Sequence, residues 1–312
     1  MVERQVLAAK QPNLELRARV LQSVRAFFGE QGFLEVQTPL LASELAPEPH
    51  REPIPAAEGS YLITSPELFM KRLLAAGYQQ IFQISPAFRR GEQGQLHHPE
   101  FTLLEWYRAG ADYGALQQDC RDLITAIAMA TNRWPGWTYQ GHRLDARGDW
   151  RCYTVREAFL KFANWDPCLV FDENRFNVDL VEKVEPHLGF PQPCILKDYP
   201  TSQAALARLK PGDPSVAERF ELYWAGIELA NGFSELTDVR EQRLRFEATI
   251  EMRRQLGYAP YPLPETFLDS MEHLPPSAGI ALGIDRLVML LANADSLDQV
   301  VAFPPKIQPD GP

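Results

Sequence analysis

The stretch FQISPAFRRGEQGQLHHPEFTLLEWYR, residues 82–108, constrains the fold most. Residues 81–88 alternate and carry β-branched and aromatic side chains. A polar, glycine-bearing loop over 89–98 interrupts them, and strand character resumes over 101–107. This pattern predicts an antiparallel hairpin. On its returning strand Glu105 and Tyr107 are two apart, so an acid and a phenol leave the same face. Taken alone, the hairpin fits a half-buried strand with a solvated carboxylate better than a site, because acids are seldom buried unpaired.

Other segments add acids and amides to the same theme. GIELANGFSELTD, residues 226–238, puts Asn231, Phe233 and Glu235 on one strand face. Glu221 and Glu228 flank WAG, a hairpin turn that would return one carboxylate beside the other. Two such acids repel unless a cation sits between them, and their oxygens suit Mg²⁺ bridging phosphates. A solvated acidic hairpin is the alternative. In SAGIALGIDRLVMLL, residues 277–291, Gly279 and Gly283 allow close backbone approach, and Arg286 opens an apolar helix where it can hold a phosphate. Pairing of Arg286 with Asp285 is the structural alternative.

With 312 residues and 45% hydrophobic content the chain can bury a large core as one α/β domain over 1–312. Residues 1–13 read as an N-terminal tail, and 134–214 as a loop-rich inserted subregion with its proline- and glycine-bearing stretches; 47–59 reads as a further loop. The net charge of −10 argues against a broad nucleic-acid footprint, leaving open a local patch from Arg89, Arg90, Arg108, Arg151 and Arg156. The first twenty residues carry charges throughout, against a secretory signal, and no apolar run approaches membrane-spanning length. Cys120, Cys152, Cys168 and Cys194 form no CxxC pair and read as reduced thiols of a cytoplasmic protein. There is no P-loop or GxGxxG, so any nucleotide site must rest on the hairpin.

Five ordered segments together resemble the catalytic core of a class II aminoacyl-tRNA synthetase, most closely lysyl-tRNA synthetase, along nearly the whole chain. RARVLQSVRAFFGEQGFLEVQTPLL is similar to class motif 1, the hairpin at Phe88-Arg89 with HHPEFTLLEWY to motif 2, and GIALGIDRL to motif 3. TSPELFMKRLL and ELANGFSEL match the lysine-specific signatures. The resemblance implies an α/β (α+β) fold, a mostly antiparallel sheet flanked by helices. Motif 1 begins near Leu14, leaving no room for the anticodon-binding OB-fold. That layout, with LLEWYRAGADY and GIELANGF, resembles the elongation factor P lysine ligases, which transfer lysine or (R)-β-lysine to a lysine side chain of that tRNA-shaped factor. Ala281 stands where lysyl-tRNA synthetases typically carry Gly; one methyl there removes pocket volume and favours β-lysine, unless it is a neutral packing change.

The resemblance implies ATP and Mg²⁺ as co-substrate and cofactor, and a homodimer formed through residues 14–39. It places Arg89 on the α-phosphate and carboxylate and Arg286 on the γ-phosphate, with Glu221 and Glu228 holding Mg²⁺. Arg90, Gly91, Glu92, His98, Glu228, Leu229 and Gly283 would complete the ATP site. Ser65, Glu67, Glu105 and Glu235 would grip the lysine amines, with Tyr107, Asn231, Phe233 and Ala281 shaping the channel. Two positions depart from the pattern. Arg89 is followed by Arg90-Gly91-Glu92 instead of Asn-Glu, so the adenine-reading acid is missing or shifted by one; His98 replaces an Asn before Pro-Glu-Phe. A minimal synthetase that charges tRNA, or a silent lysine or adenylate sensor, are the other readings. Neither tRNA nor a membrane is expected as a partner, and joint retention of Arg89, Arg286, Glu221 and Glu228 argues against a sensor.

Overall fold

The alternation read in the hairpin is the organising feature of the computed structural model, which describes residues 3–56, 59–259 and 261–305. The strands are β1 (Leu34–Glu35), β2 (Leu41–Ala42), β3 (Tyr61–Leu62), β4 (Gln80–Phe88), β5 (Glu100–Ala109), β6 (Gly136–Tyr139), β7 (His142–Asp145), β8 (Arg151–Thr154), β9 (Cys194–Pro200), β10 (Leu209–Lys210), β11 (Asp213–Trp224), β12 (Ile227–Ser234) and β13 (Ser277–Gly283). The helices are α1 (Glu3–Glu30), α2 (Glu67–Ala75), α3 (Tyr113–Ala130), α4 (Val155–Phe162), α5 (Glu173–Asp179), α6 (Val239–Gln255), α7 (Glu265–Ser270) and α8 (Ile284–Ala292).

A 9-stranded sheet runs β1-β4-β5-β13-β12-β11-β9-β8, with β10 on β11. The pairs at its two ends, β1 with β4 and β8 with β9, are parallel, and the pairs between them are antiparallel. The β11–β12 turn falls at Ala225-Gly226, both at positive φ, the backbone a two-residue hairpin demands.

One face of this sheet is apolar. Leu104, Trp106, Ile280, Leu282, Phe220 and Leu222 are buried there with Leu16, Val20, Val24 and Phe28 of α1, Leu123 and Ile127 of α3, and Leu287 of α8. Phe28 stacks on Phe82 at 4.8 Å between ring centroids. Each such side chain contributes about 1.5–3 kcal/mol on burial. Asp112 caps α3 by accepting from the amides of Gly114 and Ala115. Asp285 of α8 accepts from Arg17 of α1 and from the Thr102 amide, tying both helices to β5.

Two sequence expectations change. Residues 3–13 are no tail, because α1 starts at Glu3 and continues through Pro12. That end is held by Lys10, which donates to the Val301 and Ala302 carbonyls, and by Asn13, which donates to Gln299. The 134–214 region holds β6 to β10 with α4 and α5, and Pro186 sits in a 3₁₀ turn and Pro200 at the end of β9 without breaking them. β8 and β9 extend the main sheet, and α4 and α5 pack beneath around Phe159, Phe176 and Tyr199.

Candidate active site

The opposite face of the sheet is polar. Register alone assembles it: Gln83 lies beside Glu105, Glu105 beside Ala281, and Ala281 beside Asn231. Two residues along, Tyr107 lies beside Gly279 and Gly279 beside Phe233. A Cβ at Gly279 would stand 2.1 Å from the Tyr107 ring and 2.5 Å from the Glu235 carboxylate, so only glycine admits both. Helix α2 roofs this floor, packing Leu68, Met70 and Leu74 on Ile81 and Tyr107.

The residues expected to grip the amines come together here. Glu105 accepts from Ser65 Oγ at 2.7 Å and from the Tyr107 hydroxyl at 2.9 Å. Glu67, at the start of α2, pairs with Lys71 at 2.6 Å, and Lys71 Nζ lies 2.5 Å from Glu235. Phe233 places its ring 5.0 Å from that ammonium. Two carboxylates therefore share one internal cation, and Glu105 beside them is held by hydroxyls. Burial and the neighbouring Glu67 push Glu105 up to about 7. Burial raises Glu235 to about 8, with Lys71 only partly offsetting it. Burial also works against the Lys71 ammonium, but Glu235 and Glu67 outweigh it and raise its pKa. Among the described residues, Gln83 Oε1, Ser85 Oγ, Asn231 Oδ1 and Glu235 Oε1 are buried without a hydrogen-bond partner. Buried polar atoms are normally paired, so this floor is shaped for a polar ligand.

Arginines dominate the adjoining end. Arg89, at the exit of β4, lies 4.7 Å from the Phe101 ring centroid and 3.6 Å from Glu92. Its Nε has no partner among the described residues, and burial together with Arg51 lowers its pKa to about 10, so it stays charged at neutral pH. Arg286 reaches from α8 to the Glu228 carbonyl at 2.8 Å, its carboxylate at 3.4 Å and the Leu96 carbonyl at 3.2 Å. It also donates to His97 Nε2 at 2.7 Å, and burial and Arg286 lower the pKa of that imidazole.

Several assigned residues stand differently from expectation. His98 is buried against Asp298 at 2.8 Å, and the imidazole that meets Arg286 is His97. Gly283 caps α8, but a Cβ there would meet only Arg286 and the Leu229 carbonyl at ordinary distance, so close approach does not require glycine. Leu229 is buried under this end in the apolar core. Arg90 engages Glu52 through its backbone, and Gly91 adopts φ +78. Asp285 is taken by Arg17, leaving Arg286 to the cleft. Of the arginines considered for a basic patch, Arg108 pairs with Asp119 and Arg156 with Asp166.

Glu221 is enclosed by protein donors. Its Oε1 accepts from Arg219 at 2.7 Å and Asn231 at 3.0 Å; its Oε2 accepts from Tyr199 at 2.5 Å and Tyr223 at 2.6 Å. Burial and Glu228 raise its pKa, and the four donors occupy its acceptor sites. The cation beside it is the Arg219 guanidinium. Glu228 fits a metal better, since its carboxylate is 36% exposed and only loosely held by Arg286. Among the described residues no group of three or more His, Cys, Asp or Glu side chains is disposed to hold a metal ion.

Sequence reasoning missed Lys71, His97, Arg219 and Arg51. The spacing Glu67-x-x-x-Lys71 carried the signal for the first. Arg51 comes from a proline-rich loop without periodicity, and nothing local marked it.

The family model for class II tRNA synthetases (D, K and N) matches residues 5–307. The chain belongs to that family. Within the class II synthetases it is similar to proteins named elongation factor P–(R)-β-lysine ligase. The Proteus mirabilis (strain HI4320) protein is 37% identical over 324 residues, covering 94% of each chain. The Salmonella gallinarum (strain 287/91 / NCTC 13346) protein is 40% identical over 313 residues, covering 95% of this chain and 96% of the relative. The one from Hamiltonella defensa subsp. Acyrthosiphon pisum (strain 5AT) is 40% identical over 325 residues, covering 94% of each. In this class II chain the hairpin β4–β5 and strand β13 lie side by side in the main sheet, which is where both halves of the site meet.

Proposed function

We propose that this class II enzyme activates (R)-β-lysine with ATP and transfers the acyl group to a lysine side chain of elongation factor P. The observation that carries the reading is the buried, carboxylate-rich floor, with polar atoms left unpaired among the described residues, opening beside Arg89 and Arg286. Relatives of matching length bear the corresponding name.

The substrate carboxylate attacks the α-phosphorus of ATP, forming the acyl-adenylate and releasing pyrophosphate. The acceptor amine then attacks the acyl carbon, and AMP leaves. Positioning and charge neutralisation supply most of the first step. Glu67, Glu105 and Glu235 fix the substrate ammonium groups, and Tyr107 and Ser65 orient Glu105. Ala281, between Glu105 and Asn231, sets the depth of the floor. Arg89 and Arg286 offset charge on the phosphates, His97 and the Leu96 carbonyl holding Arg286 in place. Mg²⁺ would neutralise phosphate charge, with Glu228 as the protein oxygen open to it.

Pairing of two copies through residues 14–39 is supported by Leu34, Leu40 and Leu41, each exposed in or just after that segment. A cytoplasmic setting fits the four free cysteines. Among the described residues no helix is long and apolar enough to cross a membrane.

The test supplies ATP, Mg²⁺ and either lysine or (R)-β-lysine, then weighs elongation factor P and tRNA by mass spectrometry. The expected result is one added acyl residue on the factor, formed faster from (R)-β-lysine, with Ala281→Gly narrowing that preference. Charged tRNA beside unmodified factor would replace the proposal with a minimal synthetase.

A further inference from the structure

We infer that Arg51 is an additional binding residue for the polyphosphate of ATP, acting beside Arg89; the inference rests on the adenylating role of this site. Residues around Glu52 run against the hairpin loop, where Glu52 and Arg90 form an antiparallel bridge and the Arg90 amide donates to the Glu52 carbonyl at 2.9 Å. The bridge sets Arg51 and Arg89 each one residue from the paired positions, and both guanidinium groups face the same acids, Glu48, Glu92 and Glu228. Gly91 presents no side chain, and a Cβ built on it meets nothing within 4 Å. This is the position at which the sequence lacks the acid of the synthetase pattern.

Two guanidinium groups held together repel, and the proximity of Arg51 is one cause of the lowered Arg89 pKa, after burial. Arg89 Nε is buried without a partner among the described residues. Arg51 pairs with Glu48 at 2.6 Å and keeps 40% of its side chain exposed, within reach of a ligand. A polyphosphate satisfies both observations, because it supplies oxygens to the orphan N–H and negative charge between the pair.

The loop that carries Arg51 is rigidly built. Arg253 of α6 is completely buried and donates to the carbonyls of Glu48 at 2.9 Å, Pro49 at 3.3 Å and Arg51 at 2.8 Å, while pairing with the Glu52 carboxylate. The Tyr261 hydroxyl donates to the Arg51 carbonyl at 2.7 Å. Such anchoring fixes the backbone and leaves the guanidinium able to exchange Glu48 for phosphate oxygens. Arg253 is accordingly a positioning residue.

Calorimetric titration of Arg51→Met and Arg51→Lys with ATP and with adenosine tests the assignment. Arg51→Met should weaken ATP binding at least about tenfold, the scale of one charge-assisted hydrogen bond, and leave adenosine binding unchanged. Arg51→Lys should recover part of the loss. Unchanged ATP affinity, or equal losses for ATP and adenosine, would overturn it. Amino-acid-dependent pyrophosphate exchange by the unsubstituted enzyme tests the adenylating reading separately: its absence beside an Arg51-dependent ATP affinity would remove that reading and keep the phosphate contact.

Discussion

Binding of a diammonium substrate should release protons and strengthen steeply with pH, because two of its partners, Glu235 and Glu105, are acids whose pKa burial raises. With a pKa near 8, Glu235 is ionised to only about 1% at pH 6 and about half at pH 8, so affinity gated by it rises about 50-fold over that interval. Glu105, near 7, adds up to about tenfold more. The substrate side-chain ammonium, with a reference pKa of about 10.4, stays charged throughout. The sign for stability is opposite. A carboxyl whose folded pKa is raised holds its proton where the unfolded chain has lost it. The ligand-free protein therefore loses stability as pH climbs from about 4.3 towards 8, by about 1.4 kcal/mol for each pH unit over which the folded carboxyl keeps its proton. Calorimetric titration with (R)-β-lysine at several pH values, in two buffers of different ionisation enthalpy, measures both affinity and proton release. Glu235→Gln should bind weakly and lose most of the pH dependence. A dissociation constant that stays within about threefold from about pH 6 to 8, with no proton release, would refute the argument.

Two structural substitutions follow from the same geometry. Gly279→Ala drives a methyl into the Tyr107 ring and the Glu235 carboxylate, so urea denaturation should show a loss of about 1–3 kcal/mol and calorimetry a loss of amino-acid binding with ATP binding kept. Arg253→Met strands Glu52 and the carbonyls of Glu48, Pro49 and Arg51; breaking a buried pair costs about 3–5 kcal/mol, and an unchanged denaturation midpoint would contradict the anchoring role.

The central hairpin is legible in the sequence because period-two alternation over 81–88 and 101–107 survives as β4 and β5 with the loop in place. Glu105, Tyr107, Asn231, Phe233 and Glu235 are legible for the same reason: strand spacing settles which face a residue takes. Partnership across the fold is not. Around Glu221, nothing in the neighbouring sequence signals the Tyr199 hydroxyl, which arrives from β9. His97 and His98 are adjacent and chemically alike, and only the packing of Asp298 decides which one turns away from Arg286. The 134–214 segment misleads because proline reads as a breaker, whereas Pro200 ends a strand and Pro186 sits in a 3₁₀ turn. Pro12 misleads likewise near the start of α1.

The division of the sheet into an apolar and a polar face bears on what a substitution does. In β5, Leu104 and Trp106 anchor the helices, while Glu105 and Tyr107, their immediate neighbours, line the polar floor. Folding and chemistry are thus interleaved one residue apart yet kept on separate sides of the backbone. Substitutions at the polar-face positions act first on what the core binds, and those at the intervening positions on what holds the helices to it.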